Sequence, residues 1–495
     1  MLAGYVCLIG AGPGNPGLIT LQGLEYLRRA EVVIFDHLAP SQLLLETKPD
    51  CELISAGKEG GKPSISQTAI NELLVSSARK GKFVVRLKGG DPFLLGRGGE
   101  EAQALVDANI PYILVPGVSA SYSVPAYAGI PVTDRRVCSG VEVSTGHKLR
   151  EDERPNTQVV LMALNNLEEV VAGLQTRGYS EETPACLISR GTTSQQRLVT
   201  GKLSTITYLA RKMEPATPAL LVAGESVNFA KTLDWRKNLP LAGKRILWTR
   251  PSQKQEPPVL DELSLYGAEV IRFPVYLIQP APDEVLEEMF QQIRDYSVIV
   301  FTSASAVDIF FKYLLLKKEE DWRYLGSSRI AAIGGKTAQA LKERGRNPDL
   351  VASMANSQGL LHSLFTSVTP EDQVALCRAG QTLPLLSEGL LKAAIPFRDF
   401  TIYYVACPAY PIELVQGIFN IPLNLIVLTS PLAVTHLHRI TAEAGVEIAE
   451  STRFACLGAE TASALGKTGS RPWLTQNEPD VAVLIQKILS TWGMV

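Results

Sequence analysis

The sequence has few cysteines, and none of them is arranged for a disulfide framework or a zinc site. The seven cysteines are scattered, odd in number and free of any Cys-x-x-Cys pair. This pattern predicts buried thiols in a reducing compartment, so we expect a cytoplasmic protein. His436 and His438 stand two positions apart and would face different sides of a helix, so no metal site is predicted.

Long apolar runs and an excess of charge of one sign are also absent. Lysine and arginine number 48 against 50 aspartates and glutamates, which argues against a generic nucleic-acid-binding protein but allows a local basic cleft for an anionic ligand. No uninterrupted apolar stretch is long enough to span a bilayer. The first residues read directly as a strand rather than as a signal peptide. We therefore expect neither nucleic acid nor a membrane as a partner.

The chain does contain a regular alternation of strand-like and helix-like segments. At 495 residues it is too long for one hydrophobic core, and two to four domains are expected. The alternation predicts α/β domains with largely parallel sheets. A polar segment from Asn228 to Lys244 separates two complete patterns, and we place the main boundary there. The predicted strands are Tyr5–Ile9, Val32–Phe35, Phe83–Leu87, Tyr112–Val115, Val159–Met162, Ala219–Val222, Arg245–Thr249, Val298–Thr302, Ile330–Ile333, Val374–Cys377, Leu425–Thr429 and Phe454–Leu457.

The C-terminal half, residues 243–495, contains an internal repeat. VFTSASAV, which begins at Val300, recurs as VLTSPLAV from Val427. IAAIGGKTA, which begins at Ile330, recurs as FACLGAETA from Phe454. Two matching elements in the same order and at similar spacing predict duplicated lobes.

The most distinctive stretch of the chain is VVRLKGGDPFLLGRGGEE, from Val84 to Glu101. It predicts a short apolar strand, two glycine turns and a helix opened by two glutamates, which suit the helix dipole. Glycines at the end of a strand let a ligand approach the backbone, and Asp91 inside the turn can accept hydrogen bonds. The stretch therefore predicts a small-molecule site.

A second glycine turn, GAGPG, begins at Gly10 and leads to a helix near Leu21, with leucines 21, 24 and 27 on one face. A dinucleotide fingerprint needs glycine at the sixth position, where this chain has Asn15, and Pro13 lacks an amide donor. A nicotinamide-dependent oxidoreductase is therefore the weaker alternative. A turn shaped for another adenosine-type ligand fits better.

Several motifs before residue 243, the N-terminal half, follow one another as in a known family: AGPGNPGLITLQGL, VVIFDHLAP, VVRLKGGDPFLLGRGGEE, VPGVSASYSVPAYAGIPVTDR and STGH. In combination they resemble the uroporphyrinogen-III C-methyltransferases of the tetrapyrrole methylase family, over residues 4–236. The resemblance implies two α/β lobes, residues 1–116 and 117–238, with S-adenosylmethionine and a tetrapyrrole bound between them. It also implies a homodimer formed through this half.

The same resemblance implies roles for individual residues. Asp36 would be the catalytic base that takes or stabilises the pyrrole N–H proton. Lys58 and His147 would contact the acidic tetrapyrrole, and Arg97 is a further candidate because such a substrate needs a cationic cleft. The chain departs from the family at His37, where arginine is usual, and at Ala163, where glycine is usual. The contacts to S-adenosylmethionine would be Pro13, Gly89, Gly90, Asp91, Leu94, Ser119, Ala120, Met162, Gly191 and Ala219.

The C-terminal half contains GKRILWTRP, FTSASAV, IAAIGGKTAQAL, TIYYVACP, LTSPLAV and FACLGAETASAL. These segments resemble the uroporphyrinogen-III synthase family. The resemblance implies two α/β lobes, one discontinuous (243–276 with 405–495) and one inserted (277–404). The family reaction closes hydroxymethylbilane and inverts its last ring. Because the substrate supplies its own reactive azafulvene, such an enzyme mainly positions it.

In this half the resemblance implies that Tyr404 assists the leaving hydroxyl. The family's glycine- and arginine-rich turn is only partly present after Cys377, since a second arginine is missing. The implied substrate contacts are Arg250, Thr302, Ser303, Arg378, Thr429 and Ser430.

Together the two halves predict a bifunctional tetrapyrrole enzyme. The C-terminal half would make uroporphyrinogen III, and the N-terminal half would methylate it twice to precorrin-2, toward sirohaem or cobalamin. The missing arginine motivates an alternative, in which the methyltransferase is active and the C-terminal half is a non-catalytic substrate-binding or assembly module.

Overall fold

The computed structural model describes residues 4–56, 65–138, 140–145, 156–251, 260–381, 384–477 and 480–492. They belong to two compact units. The first comprises Met1–Arg250, Gln255–Phe273 and Ala409–Val495, and the second Pro251–Lys254 and Pro274–Pro408. None of the described helices is long and apolar enough to cross a membrane.

The strands are β1 (Tyr5–Gly10), β2 (Val32–Phe35), β3 (Glu52–Ser55), β4 (Phe83–Lys88), β5 (Tyr112–Val115), β6 (Val141–Thr145), β7 (Thr157–Leu161), β8 (Pro184–Ser189), β9 (Arg197–Lys202), β10 (Ala219–Ala223), β11 (Arg245–Pro251), β12 (Glu269–Pro280), β13 (Val298–Phe301), β14 (Arg329–Ala332), β15 (Leu350–Val351), β16 (Val374–Ala379), β17 (Phe397–Ala406), β18 (Leu425–Leu428), β19 (Arg453–Leu457) and β20 (Leu474–Gln476).

The α-helices are α1 (Leu21–Arg29), α2 (Gln67–Arg79), α3 (Gly98–Asp107), α4 (Ala120–Tyr127), α5 (Leu167–Thr176), α6 (Leu203–Met213), α7 (Ala230–Leu233), α8 (Leu260–Leu265), α9 (Asp283–Gln292), α10 (Ala304–Lys317), α11 (Gly335–Glu343), α12 (Ser357–Phe365), α13 (Leu385–Lys392), α14 (Ile412–Phe419), α15 (Pro431–Glu443), α16 (Ala459–Gly466) and α17 (Val481–Thr491).

The first sheet is parallel throughout, in the order β3-β2-β4-β1-β5. Its strands β1 and β2 are continuous apolar runs, as expected for strands buried on both faces, whereas β4 also carries Arg86 and Lys88. Of the predicted leucine face on α1, Leu27 is buried, whereas Leu21 at the first helical position is 88% exposed. In such sheets ligands bind at the carboxyl ends of the strands. Here that edge carries Gly10, Asp36 and the turns that begin at Gly89 and Gly117.

The second sheet has the order β6-β7-β10-β8-β9 and is mixed. Only β6 and β7 are parallel, while β10 runs antiparallel to both of its neighbours and β8 runs antiparallel to β9. The expectation of parallel sheets is therefore wrong here. For β8 and β9 the reason is their connection, residues 190–196, which is too short for the crossover that parallel neighbours require.

The C-terminal half contains the two copies predicted from the repeat. In the second unit β15-β14-β13-β16-β17 are parallel neighbours, and β12 pairs antiparallel with β17. In the first unit β11-β18-β19-β20 are parallel neighbours. Both α10 and α15 have a serine N-cap, Ser303 and Ser430. Each serine hydroxyl accepts a hydrogen bond from the backbone N–H three residues further along the chain. The predicted internal repeat is confirmed.

The polar segment at the predicted boundary is folded. It contains α7 and a 3₁₀ turn over Arg236–Asn238. Trp235 donates from Nε1 to the Ala126 carbonyl over 3.3 Å, and its ring packs edge-on against Tyr127. Leu241, next along the chain, is fully buried. The segment is therefore a packed connection rather than a free linker.

The seven cysteines are all free. Cys7, Cys186, Cys377 and Cys456 are buried, and the other three are half-buried. Burial raises the pKa of Cys186 and of Cys456 to about 11. These thiols are protonated at neutral pH, which agrees with the structural role predicted for them.

Candidate active sites

Three glycines meet where β1, β4 and β5 end. A Cβ added to Gly117 would lie 2.1 Å from the Gly90 carbonyl oxygen, and one added to Gly10 would lie 2.4 Å from the Gly117 Cα. Gly90 and Gly12 exchange backbone hydrogen bonds of 2.7 and 3.3 Å. We call Gly10, Gly90 and Gly117 the glycine junction. The strands approach so closely there that no side chain fits between them.

Asp91 fastens this junction with both carboxylate oxygens. Its Oδ1 accepts from the backbone N–H groups of Phe93 and Leu94, at 2.8 and 3.1 Å. Its Oδ2 accepts from the Gly117 N–H at 2.9 Å. Asp91 thus shapes the turn before α3 and ties it to the segment that leads into Ser119, the N-cap of α4.

The predicted donor contacts of the second sheet gather at one of its ends. The register pairs Leu161 with Leu220 and Ser189 with Ala219. Met162, Ala219 and Gly191 therefore lie at the same edge of the sheet. Met162 is half exposed, and Gly191 packs so closely on α4 that an added Cβ would meet Val124 at 2.3 Å.

The first glycine turn contacts the connection between β8 and β9, residues 190–196, which we call the 190–196 loop. The Asn15 backbone N–H donates to the Thr192 hydroxyl over 3.0 Å. A Cβ added to Gly14 would lie 3.1 Å from the Gly191 carbonyl oxygen. Pro13 follows β1 of the first sheet and Gly191 follows β8 of the second. The two segments that carry these predicted donor contacts therefore lie side by side.

Non-glycine residues with positive φ are concentrated around these predicted contacts. They include Leu95 and Arg97 in the turn before α3, Met162 after β7, and Arg190 and Thr192 on either side of Gly191. A left-handed backbone at such residues costs on the order of 1–3 kcal/mol each and persists where the surroundings impose it. Five of the nine non-glycine residues with positive φ among the described residues lie at or near predicted donor contacts.

Asp36 follows β2 and belongs to a cluster of buried charges that the sequence interpretation missed. Arg86 donates from Nη2 to Asp36 Oδ1, and Lys88 Nζ lies 3.5 Å from Asp36 Oδ2. Both cations also bind Glu101 Oε1, Arg86 from Nε at 3.0 Å and Lys88 from Nζ at 2.9 Å. The side chain of Asp36 is 28% exposed, whereas those of Arg86, Lys88 and Glu101 are 5% exposed or less, so Asp36 is the member of this cluster that reaches solvent.

The sequence did contain a signal for this cluster. Arg86 and Lys88 alternate within an otherwise apolar strand, so their side chains lie on one face of β4. Charged residues inside a buried strand need partners of opposite charge. Glu101, which was assigned only to the helix dipole, is fully buried and pairs with both, while its Oε2 has no hydrogen-bond partner among the described residues.

The predicted cationic contacts to the tetrapyrrole are only partly placed. Arg97 is exposed, and its guanidinium forms two hydrogen bonds of 2.8 Å to Glu100. Lys58 and His147 lie outside the described residues. The two departures from the family differ in setting, since His37 is exposed and Ala163 is fully buried.

In the second unit the candidates Thr302 and Ser303 lie between the end of β13 and the start of α10. The Ser303 hydroxyl lies 3.0 Å from the Tyr403 hydroxyl, and Thr302 donates its backbone N–H to the Cys377 carbonyl over 3.3 Å. Tyr403 is 9% exposed, whereas the predicted catalytic Tyr404 is 41% exposed. A Cβ added to Gly380 would meet the Tyr404 ring at 2.6 Å, so this glycine makes room for the ring.

Arg378, the retained arginine of the partial motif, is already paired. It is 7% exposed and binds Asp399 through Nε at 2.6 Å and Nη2 at 2.7 Å. Nη2 also donates to the Ser387 hydroxyl over 2.6 Å. A bidentate pair of this kind fixes the guanidinium within the protein.

The matching turn of the first unit joins Thr429 to β11. The Thr429 backbone N–H donates to the Thr249 hydroxyl over 3.1 Å, and the Thr429 hydroxyl donates to the Thr249 carbonyl over 3.2 Å. Ser430 caps α15. The side chain of Arg250 lies outside the described residues.

Comparison with known proteins shows the families to which the two halves belong. A family model described as Tetrapyrrole (Corrin/Porphyrin) Methylases matches residues 5–207, and one described as Uroporphyrinogen-III synthase HemD matches residues 259–486. The chain is 32% identical over 507 residues to the porphyrin biosynthesis protein HemD of Ruminiclostridium josui, with 99% of this chain and 98% of that protein covered. The chain belongs to both families.

Two further relatives cover the methyltransferase half. The chain is 36% identical over 356 residues to the uroporphyrinogen-III C-methyltransferase of Bacillus subtilis (70% of this chain, 72% of that protein). It is 45% identical over 237 residues to that of Methanocaldococcus jannaschii (46% and 98%). The resemblance found in the sequence is confirmed, and the oxidoreductase alternative is set aside. The N-terminal half is a tetrapyrrole methylase, and the C-terminal half is a uroporphyrinogen-III synthase.

The glycine junction of the methyltransferase half fits a ligand that is held by backbone groups. Gly90 has φ +66°, and a Cβ added there would find no heavy atom nearer than the Ala120 nitrogen at 4.0 Å. The space in front of this backbone is therefore open, while the space behind it is filled by the neighbouring strands. Asp91 already accepts three backbone hydrogen bonds that shape this turn.

Proposed function

We propose that this enzyme closes hydroxymethylbilane with inversion of ring D and then methylates the resulting uroporphyrinogen III twice, with S-adenosylmethionine, to precorrin-2. The observation that carries the proposal is the Asp36 carboxylate, which Arg86 and Lys88 hold at the edge of a parallel sheet beside the glycine junction. Membership of both families supports it, and precorrin-2 would lead toward sirohaem or cobalamin.

In the methyltransferase half, each group has a limited task. When bound, S-adenosylmethionine supplies an electrophilic methyl group. Pro13, Gly89 and Gly90 present backbone toward the donor, and Asp91 holds their turn in shape. Asp36 accepts a hydrogen bond from a pyrrole N–H, which orients the ring and raises the electron density at the carbon to be methylated. Leu94, Ser119, Ala120, Met162, Gly191 and Ala219 complete the proposed donor site.

In the synthase half, the proposed work is positioning. Thr302, Ser303, Thr429 and Ser430 lie at the starts of α10 and α15, where hydroxyls and helix N-termini suit substrate carboxylates. Tyr404, with its exposed ring, assists departure of the substrate hydroxyl. We further propose that the catalytic lobes are residues 1–116, 117–238, 277–404 and the discontinuous lobe 243–276 with 405–495. A homodimer in the cytoplasm completes the proposal.

The test supplies hydroxymethylbilane with and without S-adenosylmethionine and identifies products by mass and isomer type. We expect the type III isomer without the donor, and a product heavier by two methyl groups with it. Asp36→Asn should slow methylation by about 10²- to 10⁴-fold, the range for loss of a proton-transfer group, and should leave cyclisation unchanged. Asp107→Asn, at the exposed end of α3, is the matched control. Normal methylation by Asp36→Asn would refute the role of Asp36.

One observation, the pairing of Arg378 with Asp399, favours an alternative function in which the C-terminal half is not catalytic. An arginine that is fixed in this way is less suited to bind a carboxylate, which agrees with an active methyltransferase joined to a non-catalytic module. The reaction without donor distinguishes the two functions. Spontaneous closure would give only the type I isomer, which would favour the non-catalytic module.

A further inference from the structure

Glu269, in the synthase half, contacts two connecting segments of the methyltransferase half, one after β2 and one between β8 and β9. It opens β12, and its side chain is 15% exposed. Its Oε1 accepts from Gln42 Nε2 at 2.6 Å, just after the Asp36 turn. Its Oε2 accepts from the backbone N–H and the hydroxyl of Ser194, at 3.0 and 2.6 Å, in the 190–196 loop. One carboxylate therefore joins three segments that are distant in sequence.

The charge of Glu269 is held by Arg245 at the start of β11. Arg245 is 3% exposed and donates from Nε to Glu269 Oε1 over 2.8 Å, while its Nη1 donates to the carbonyls of Ile418 and Ile421. Burial alone would raise the pKa of Glu269, but Arg245 and the hydrogen bonds from Ser194 outweigh it, and the pKa is lowered. The group that Ser194 binds is thus a carboxylate at neutral pH.

The 190–196 loop is a strained segment that depends on its contacts. Arg190 and Thr192, on either side of Gly191, both have positive φ. Within the methyltransferase half, the bonds that hold the loop include those from the Thr192 N–H to Gln196 Oε1 at 2.7 Å and from Asn15 to Thr192. Gln196 also donates to the Tyr127 carbonyl over 2.9 Å, and Arg236 to the Thr193 carbonyl over 2.8 Å. The two hydrogen bonds from Ser194 to Glu269 join the loop to the synthase half.

We propose that Glu269 is a positioning residue of the methyltransferase donor site, supplied by the synthase half and acting through Ser194 on the loop that carries Gly191. The proposal rests on the proposed function, which assigns Gly191 to the donor. It gives the fusion a physical purpose, since the two halves share a buried charge rather than only a connecting segment.

A second contact supports the close packing of the halves. Gly417 in α14 lies against Ser41, next to Gln42, so that an added Cβ would be 2.8 Å from the Ser41 hydroxyl. The synthase half therefore touches the methyltransferase half near the Asp36 turn as well as at the 190–196 loop. By linkage, a donor that orders the loop should strengthen the Ser194–Glu269 contact in return.

The test uses the full chain and the variants Ser194→Ala and Ser194→Thr. Ser194→Ala removes the hydroxyl but leaves the Arg245–Glu269 pair in place. We expect KM for S-adenosylmethionine, and Kd for S-adenosylhomocysteine measured by calorimetry, to rise about 5- to 20-fold, as for loss of a hydrogen bond to a charged group. Methylation kcat at saturating donor should stay within about twofold, and Ser194→Thr should restore binding, because its hydroxyl can reach the same carboxylate.

Ser297→Ala is the matched control, because the Ser297 hydroxyl also donates to a carboxylate, that of Asp372, at 2.7 Å in the second unit. It should leave donor binding unchanged. Wild-type donor affinity in Ser194→Ala would overturn the role of the Ser194 hydroxyl, since that variant keeps the backbone N–H bond to Glu269. Wild-type donor affinity in Glu269→Gln would overturn the role of Glu269, and either result would leave the methyltransferase proposal intact. If the wild-type enzyme itself bound no donor, the proposed function would fail instead. Glu269→Gln gives a second readout, since it should weaken donor binding in the same direction.

Discussion

Arg86 donates from Nε to Glu101 Oε1 over 3.0 Å, and the two side chains are 1% and 0% exposed. A buried ion pair stabilises the folded protein little more than well-packed apolar residues at the same positions would. Removing one partner is costly, however, because the other charge is then buried without compensation. Because Arg86 also binds Asp36, the same guanidinium links the buried interior of the first lobe to the carboxylate proposed to face the substrate.

Replacing Arg86 should therefore affect both stability and methylation. In Arg86→Gln, Glu101 retains Lys88 as its only cationic partner among the described residues, and Asp36 loses its closest cation. We expect the free energy of unfolding to fall by about 3–5 kcal/mol, measured by urea denaturation, and methylation to slow in a direct assay. Arg28→Gln removes the exposed pair with Glu46 and should cost less than about 1 kcal/mol. Equal effects of the two variants would contradict this account.

Two alanine substitutions should separate close packing from helix propensity. Gly117→Ala would place its Cβ 2.1 Å from the Gly90 carbonyl oxygen, so the glycine junction must open and donor affinity should fall. Gly99→Ala, in α3, meets no atom within 4 Å and should be neutral or stabilising by up to about 1 kcal/mol. Calorimetric titration with S-adenosylhomocysteine and thermal unfolding would test the pair. Unchanged donor binding in Gly117→Ala would remove the junction from the donor site.

Much of the fold could be predicted because its signals are local. Each predicted strand overlaps an observed one, since apolar runs bounded by turns are short-range features. The missed strands include β8, which begins at Pro184, and β12, which contains Pro274, and proline weakens a strand assignment. Met162 was placed in a strand, but it follows β7 in a left-handed conformation that its own sequence does not signal.

The residues of the candidate site also differ in how far the sequence could predict them. The glycine turns and Asp36 could be predicted because they follow predicted strands. The partners of Asp36 could be predicted in part, since Arg86 and Lys88 interrupt an apolar strand. The contact between Ser194 and Glu269 could not be predicted, because the two residues are 75 positions apart and belong to different halves of the chain. Only the folded chain brings such residues together.

Two adjacent tyrosines of β17 should behave differently. Tyr404→Phe removes an exposed hydroxyl and should slow formation of the type III isomer with little change in stability. Tyr403→Phe removes the buried contact to Ser303, so it should lower the free energy of unfolding by about 1 kcal/mol. Isomer analysis of the cyclised product and denaturant unfolding would measure these effects. Normal cyclisation by Tyr404→Phe would exclude a catalytic role for that hydroxyl.

Acid should weaken the contacts of Glu269 with Arg245 and Ser194. Its pKa in the folded state lies below the ordinary value of 4.5. The stabilisation is therefore fully present above about pH 4.5 and is lost as the pH falls through the lower folded value. We expect the difference in unfolding free energy between wild type and Glu269→Gln to be largest at neutral pH and to shrink in acid. A difference that is constant with pH would contradict the assigned ionisation.

The inserted second unit also fixes an order of events during synthesis. β11 pairs with β18, Ile246 lying opposite Leu425, and everything from Pro274 to Pro408 is translated between them. Translation therefore releases the whole second unit while β11, which is also a neighbour of β12, is still unpaired along the side that later takes up β18. The lobe that is begun first is the last to close, and the nascent chain must protect β11 from unwanted strand pairing until β18 emerges.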